Sequence, residues 1–436
     1  MHSCRRVSAI ARMLRLGVLV LVLGSTPLVA QQAARPAAIV LHAARLLDVD
    51  SGTLLTPGEI LVSGERIEKV GTKVEHPAGA RVIDLGDTTL LPGLIDAHVH
   101  LFLHPGGEAE QTFNESVPER TIRAVLAARD DLLAGFTTER DMGTEGAGAA
   151  DTAVRDAINR GWIPGPRLRI SGNAIDILGG HEDAIGYNPE EHAQPNATYA
   201  NSADELVAVI RAQAKLGADF AKIYQTGKDR IADGEFSTPN QYGEDELRAA
   251  VRETARLGRK VAVHATGEPG AGIAARAGVA SIDHAYQLSD ATMKLMHEHN
   301  IFAVPTFSVL EYFGEHAATP EAATRYRAIQ AYHIEQFKRQ LAAKVPIALG
   351  SDVGPFPHGT QAREFALLVQ HGMTPLAAIR AGTLNGAMLL GWDKDIGRLA
   401  AGYCADIVAV PGDPLRDIDA LQRVSFVMKG GAIVRQ

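Results

Sequence analysis

The chain has almost no cysteine and no acid near its start. Of 436 residues only Cys4 and Cys404 are cysteines, and the first carboxylate side chain is Asp48. Within the acid-free stretch, Arg5, Arg6, Arg12 and Arg15 precede the apolar run 16–23, and small or apolar residues lead to Ala30. A basic segment, a short apolar core and a small residue read as a signal peptide, residues 1–30, cut after Ala30. The run is too short to span a bilayer comfortably, and Pro27 follows it closely. An uncleaved anchor and, from Arg5-Arg6, a twin-arginine signal are the alternatives. The expectation is a periplasmic or secreted protein with no stable membrane anchor. Cleavage removes Cys4, so the exported chain can form no internal disulfide.

Basic charge is also scarce. There are 43 Lys and Arg against 51 Asp and Glu; losing the four signal arginines leaves 39 against 51, a net charge of −12. That balance argues against nucleic acid or an anionic membrane as partner. No GxGxxG opens any turn, which counts against a doubly wound dinucleotide-binding sheet. The loop 143–148 is glycine-rich but matches no phosphate cradle. What is present is 46% hydrophobic and 22% charged residues with 43 glycines, the composition of a globular α/β chain.

Short alternating β runs fill residues 38–90, and the same style returns at 405–410 and 424–434. We read these as one small β-sandwich built from both termini, residues 31–90 and 394–436, with a larger domain, 91–393, inserted between them. The insert alternates strand and helix. Strands are expected at 91–101, 136–141, 167–171, 220–224, 260–264, 281–284, 302–305 and 346–352, with helices at 119–133, 151–159, 203–216, 244–257, 270–276, 290–299, 322–343, 362–371 and 375–390. Eight such units in this length indicate a (β/α)8 TIM barrel. The loops 179–202, 225–242 and 305–320 are the least readable parts.

Residues 91–101 read LPGLIDAHVHL. On a strand, side chains two apart share a face, so His98 and His100 point the same way and can meet one metal ion. Barrel enzymes carry their chemistry at the C-terminal ends of strands. There this chain places His98 and His100 on the first strand, Lys222 on the fourth, His264 on the fifth, His284 on the sixth and Asp352 on the eighth. Singly, His264 reads as a core histidine and Asp352 as a loop cap. Lys222 is stranger, because an unpaired ammonium is costly to bury inside an apolar strand. The ordered set is what points to a metal site.

The motifs PGLIDAHVHL (92–101), AKIY around Lys222, VAVHA around His264, SIDHAY around His284 and GSD ending in Asp352 resemble the amidohydrolase superfamily, metal-dependent hydrolases with a barrel and an attached β-sandwich. The terminal β segments, including 401–408, match too. The resemblance implies two divalent metal ions, zinc being favoured over manganese or iron. It implies that Lys222 is carboxylated by carbon dioxide and bridges them; an ammonium has no lone pair for a metal, whereas a carbamate offers two oxygens. His98, His100 and Asp352 would hold one ion, His264 and His284 the other. Asp352 would then serve as general base and acid, taking a proton from the attacking hydroxide and delivering it to the leaving amine.

Gly179-Gly180-His181, the pair Lys222 and Tyr224, and GSDV followed by Pro357-His358-Gly359 resemble the branch of Xaa-Pro dipeptidases, related carboxypeptidases and ochratoxin-degrading amidohydrolases. In that branch the released amine carries a free carboxylate. His181 and Tyr224 are therefore expected to contact that carboxylate, and His358 to line the pocket or orient Asp352. The expected partner is a small amide or dipeptide with a free carboxylate, and the resemblance further implies a homo-oligomer. Hydrolysis of imidazolone, lactone or other cyclic amide substrates is the rival within the family, and a non-catalytic metal-binding protein the rival outside it.

Overall fold

Strands buried on both faces need near-continuous apolar sequence, and parallel strands need helices to return the chain. The helices are present throughout, whereas the buried strand Phe136–Asp141, FTTERD, departs from the apolar rule. The computed structural model describes residues 38–183 and 194–436; the expected signal segment lies outside the described residues. Residues 37–436 form one compact unit.

Seven parallel strands, Leu94–Val99, Phe136–Asp141, Arg167–Ile170, Ala221–Tyr224, Val261–Ala265, Ser281–His284 and Phe302–Val304, appear in chain order. The first three pair in sequence, as do the last four. The two groups meet where the Asp219 amide donates to the Ile170 carbonyl at 2.7 Å and Ile175 pairs with Ile223. Residues 346–353 close the ring. The Ala348 amide donates to Ala303 at 3.0 Å, the Ala97 amide to Leu349 at 2.9 Å and the His100 amide to Val353 at 2.8 Å. This is the eight-fold TIM-barrel arrangement.

The outer helices start where the sequence supplies a cap. Ser116, Ser202, Ser289 and Thr319 each accept a backbone amide three residues on, at the heads of Val117–Leu133, Ala203–Leu216, Asp290–His299 and Pro320–Ala342. Glu244–Arg256 buries Leu247, Ala250 and Thr254, the three- and four-residue spacing of one helix face. Residues 375–390, expected as a single helix, are Pro375–Arg380, a π turn Ala381–Asn385 and Gly386–Leu390. The physical reason is local: the Ala381 carbonyl accepts the Leu349 amide of the closing segment at 3.0 Å, and the helical ladder widens around it. Several elements lie where none was expected: the helices Glu108–Asn114 and Phe307–Glu315, the hairpin Arg230–Ala232/Glu235–Ser237, the strand pair Ile175–Asp176/Thr198–Tyr199 and the 3-10 helix Ile418–Arg423. Among the described residues no helix is long and apolar enough to cross a membrane.

The two chain ends share a sheet. Its order is Ala432–Arg435, Phe426–Lys429, Ile407–Pro411, Thr88–Pro92, Arg45–Asp48, Thr53–Leu55. A second sheet holds Arg66–Gly71, Gly58–Ser63, Ile39–Ala43 and Arg81–Asp84. Leu41, Ile60, Leu46, Ile407 and Phe426 belong to one apolar cluster drawing on both sheets.

Candidate metal centre and catalytic cavity

The first strand and the closing segment are locked together before any ligand is considered. Asp96 accepts the Ser351 hydroxyl at 2.5 Å and the backbone amides of Ser351 and His98 at 3.1 and 3.0 Å. Full burial pushes its pKa up to about 8 against those hydrogen bonds. A side chain at Gly350 would stand 2.7 Å from the His98 Cβ, so the approach of the two segments requires glycine there. The Asp of DAHVH and the Gly-Ser of GSD are thus braces that bring Asp352 to the two imidazoles.

The result is a tight triad. His98 Nε2 and His100 Nε2 are 3.3 Å apart, and each is 3.3 Å from Asp352 Oδ1. The three form a group able to hold a metal ion. Each ring is aimed from behind. His98 Nδ1 lies 2.9 Å from Asp283, which Arg140 grips through both carboxylate oxygens. His100 Nδ1 lies 3.0 Å from Glu145, close enough to pair but not aligned as a hydrogen bond. A carboxylate behind an imidazole fixes the tautomer and frees the front nitrogen for a metal. Burial opposes ionisation of Asp352, yet His98 and His100 hold its carboxyl well below the ordinary range.

The second pair of imidazoles is built differently. His264 and His284 stand with ring centroids 4.4 Å apart. His284 Nδ1 contacts the Thr306 hydroxyl at 2.8 Å, while His264 Nε2 is buried without a partner. Burial, reinforced by neighbouring histidines and Lys222, keeps both rings well below their usual pKa and therefore neutral. A neutral imidazole with an unused buried nitrogen is a metal donor. Lys222 is 1% exposed, and burial lowers its pKa. His284 and Asp352 hold left-handed backbone, with φ of 73° and 61°, and Thr306 follows at 53°. For non-glycine residues such angles cost on the order of 1–3 kcal/mol each and gather at functional sites.

All six side chains open on one cavity of about 410 Å³ at the C-terminal ends of the strands. His181 and Tyr224 are part of its wall, stacked at 5.1 Å. Burial and the carboxylates of Glu145, Glu182 and Glu108 hold the Tyr224 hydroxyl well above its usual pKa, and His181 Nε2 lies 3.7 Å from the Glu182 carboxylate. His358 needs correction. It is absent from the cavity wall; its Nδ1 is 2.7 Å from Asp131 and its Nε2 3.3 Å from the Leu103 carbonyl. Both nitrogens are spent on packing a loop against helix Val117–Leu133, so His358 neither lines the pocket nor touches Asp352.

Sequence reasoning missed several residues. Asp283 directly precedes His284 and could have been flagged as a buried acid. Glu145 lies in the glycine-rich loop that was set aside, and Glu108, Glu145 and Glu182 converge within 4.8 Å. Burial and the two neighbouring carboxylates push Glu108 well above its usual pKa. The cations Lys228 and Arg325 also reach the cavity, with Leu310, Phe313, Tyr326 and Ile329 forming an apolar side. Nothing local in the sequence marks these as neighbours.

Residues 89–434 match the amidohydrolase family. The chain is 30% identical over 445 residues to ochratoxinase from Aspergillus niger, covering 94% of this chain and 89% of that protein. Among solved structures, a Xaa-Pro dipeptidase with methionine bound in its active site superposes with a TM-score of 0.84 at 31% identity, covering 92% of this chain and 100% of the other. A prolidase complexed with N-methylphosphonate-L-proline gives a TM-score of 0.82 at 28% identity, again covering 92% and 100%.

Proposed function

The chain belongs to the amidohydrolase family and is a hydrolase, and on that premise we propose that it is a secreted, binuclear metal enzyme cleaving an amide bond next to a free carboxylate. The observation that carries this reading is the triad of His98, His100 and Asp352 facing His264, His284 and Lys222 across one cavity. The donor set fits divalent metal: imidazole nitrogens with carboxylate oxygen suit zinc, with manganese or iron as the alternatives. His98, His100 and Asp352 would hold one ion, His264 and His284 the other. Lys222 fits the bridging role once carboxylated. Burial lowers the Lys222 pKa and so favours the free amine, the form that adds to carbon dioxide; the amine adds to the carbon, loses a proton and becomes a carbamate with two donor oxygens. Bound there, divalent ions polarise a carbonyl and lower the pKa of water.

The chain's own residues do the rest. Asp352, held ionised, accepts a proton at Oδ1 as water adds to the carbonyl carbon, and returns it to the amine nitrogen as the C–N bond breaks. The cavity supplies two cations, Lys228 and Arg325, for the substrate carboxylate. His181 and Tyr224 are substrate contacts on the same wall, and the apolar side receives the remainder of the substrate. Xaa-Pro dipeptides, N-acyl amino acids and ochratoxin A-like amides satisfy that description. We read the two terminal sheets as a small β-sandwich, residues 1–30 as its export signal, and the working form as a homo-oligomer, checked by mass of the secreted protein and by light scattering.

The test is hydrolysis by zinc-loaded protein, with metal content measured alongside. Dipeptides, N-acyl amino acids and ochratoxin A are each paired with an amide lacking the carboxylate. Cleavage confined to carboxylate-bearing members is expected. Activity only on neutral cyclic amides or lactones would overturn the substrate assignment and leave the metal assignment standing.

A further inference from the structure

A second cavity, of about 210 Å³, lies at the opposite end of the barrel, where the fourth, fifth and sixth strands begin. Its charged lining is Arg140, Arg169, Arg259 and Lys260 against one acid, Asp219. That acid is already shared: Asp219 Oδ2 lies 3.1 Å from Arg155 and also accepts the Ile170 amide, while Arg169 reaches only Oδ1, at 3.5 Å. Arg259 spends its guanidinium on backbone carbonyls, Ala218 at 2.6 Å and Leu257 at 3.2 Å. Lys260 makes one long hydrogen bond, 3.4 Å to the Leu389 carbonyl, and no ion pair among the described residues. The Arg169 guanidinium carbon lies 4.1 Å from the centroid of the Trp392 ring, a cation–π contact that restrains the side chain.

Like charges around one concavity repel one another unless anions sit among them; Asp283 pairs with Arg140 and Asp219 faces Arg169, which leaves Arg259 and Lys260 without a carboxylate among the described residues. A planar guanidinium is the side chain that meets planar or tetrahedral oxyanions through paired donors. With Asp219 and Asp283 set against the four cations, two positive charges are in excess, which suits a multivalent anion, and the volume suits a small one. We propose that this cavity is a binding site for a small multivalent oxyanion, inorganic phosphate being the simplest. The site is separate from the catalytic cavity, and Arg140 connects the two only through Asp283. Arg140, 5% exposed, forms part of the lining while its donors hold Asp283, the carboxylate behind His98.

The experiment is thermal unfolding and calorimetry of the metal-loaded protein with inorganic phosphate, at ionic strength held constant with chloride. A saturable rise in Tm with phosphate but not chloride is expected. Lys260→Gln and Arg169→Gln should each weaken phosphate binding at least tenfold. Lys260 is exposed and without an ion pair, so its variant keeps the fold even where loss of the Arg169 stack does not. Phosphate can also bind at a metal centre, so Asp352→Asn serves as the second arm. A response that survives Asp352→Asn and falls in Lys260→Gln supports the cavity. A response lost in Asp352→Asn and unchanged in Lys260→Gln overturns it, as does an equal response to chloride.

Discussion

The two halves of the candidate metal centre solve the same problem in different ways. Around His98, His100 and Asp352 every ring is aimed by a buried carboxylate, and Asp283 is itself fixed by Arg140. Around His264 and His284 there is one hydroxyl contact and one bare nitrogen. The first half is arranged by charge, each imidazole having a carboxylate behind it. The second is kept neutral by burial, and its geometry is completed by whatever it binds. The comparison teaches that the carboxylates serve one half, whereas in the proposed arrangement the other would depend on Lys222.

The largest effect should come from the residue proposed both to ligate and to move the proton. Asp352→Asn is expected to lower kcat/KM by about 10²–10⁴ with the circular dichroism spectrum unchanged; a loss under tenfold would remove Asp352 from proton transfer. Next is Lys222→Ala, which should strip metal chiefly from the half that lacks carboxylates. Elemental analysis should show less metal per chain, and added short-chain carboxylic acids should restore part of the activity by standing in for the carbamate. Asp283→Asn sharpens the contrast directly: metal affinity or activity should fall by about 10–100-fold, whereas Thr306→Val, behind His284, should cost less. Equal losses in the two variants would show that the halves are supported alike.

The smallest expected effect concerns the corrected histidine. Burial opposes the charge on His358, but Asp131 raises its pKa above the usual value. The folded state therefore holds that proton more tightly than the unfolded chain. The stabilisation is fully present below pH of about 6.5 and is lost as pH rises through the folded value. His358→Asn should lower Tm by about 2 °C at pH 6 and by less at pH 9. A loss that grows with pH would assign the residue some other role.

The barrel was legible because strand and helix alternate through the insert and because four strands and the closing segment end in a residue too polar for its surroundings: His100, Lys222, His264, His284, Asp352. The candidate ligands could be picked out for the same reason. The supports could not. Asp283 and Arg140 meet across the barrel from strands 143 residues apart, and Glu145 reaches His100 from a loop whose glycines read as punctuation. His358 follows the GSD motif closely enough to suggest the site, and only the placement of Asp131 on an outer helix shows why it faces away. The π turn at Ala381–Asn385 follows from a hydrogen bond to Leu349, which no local pattern announces.

The closing segment also sets a clock. Residues 346–353 knit the seventh strand to the first, and strand Thr88–Pro92 waits for Ile407–Pro411. Synthesis runs from the N-terminus at about 5–20 residues per second. For most of translation the nascent chain therefore displays His98 and His100 with neither their carboxylate partner nor a closed wall. The hydrolytic centre comes into being only at the end of manufacture, so a prematurely terminated chain carries imidazoles that can scavenge metal but no means of turning it on a substrate.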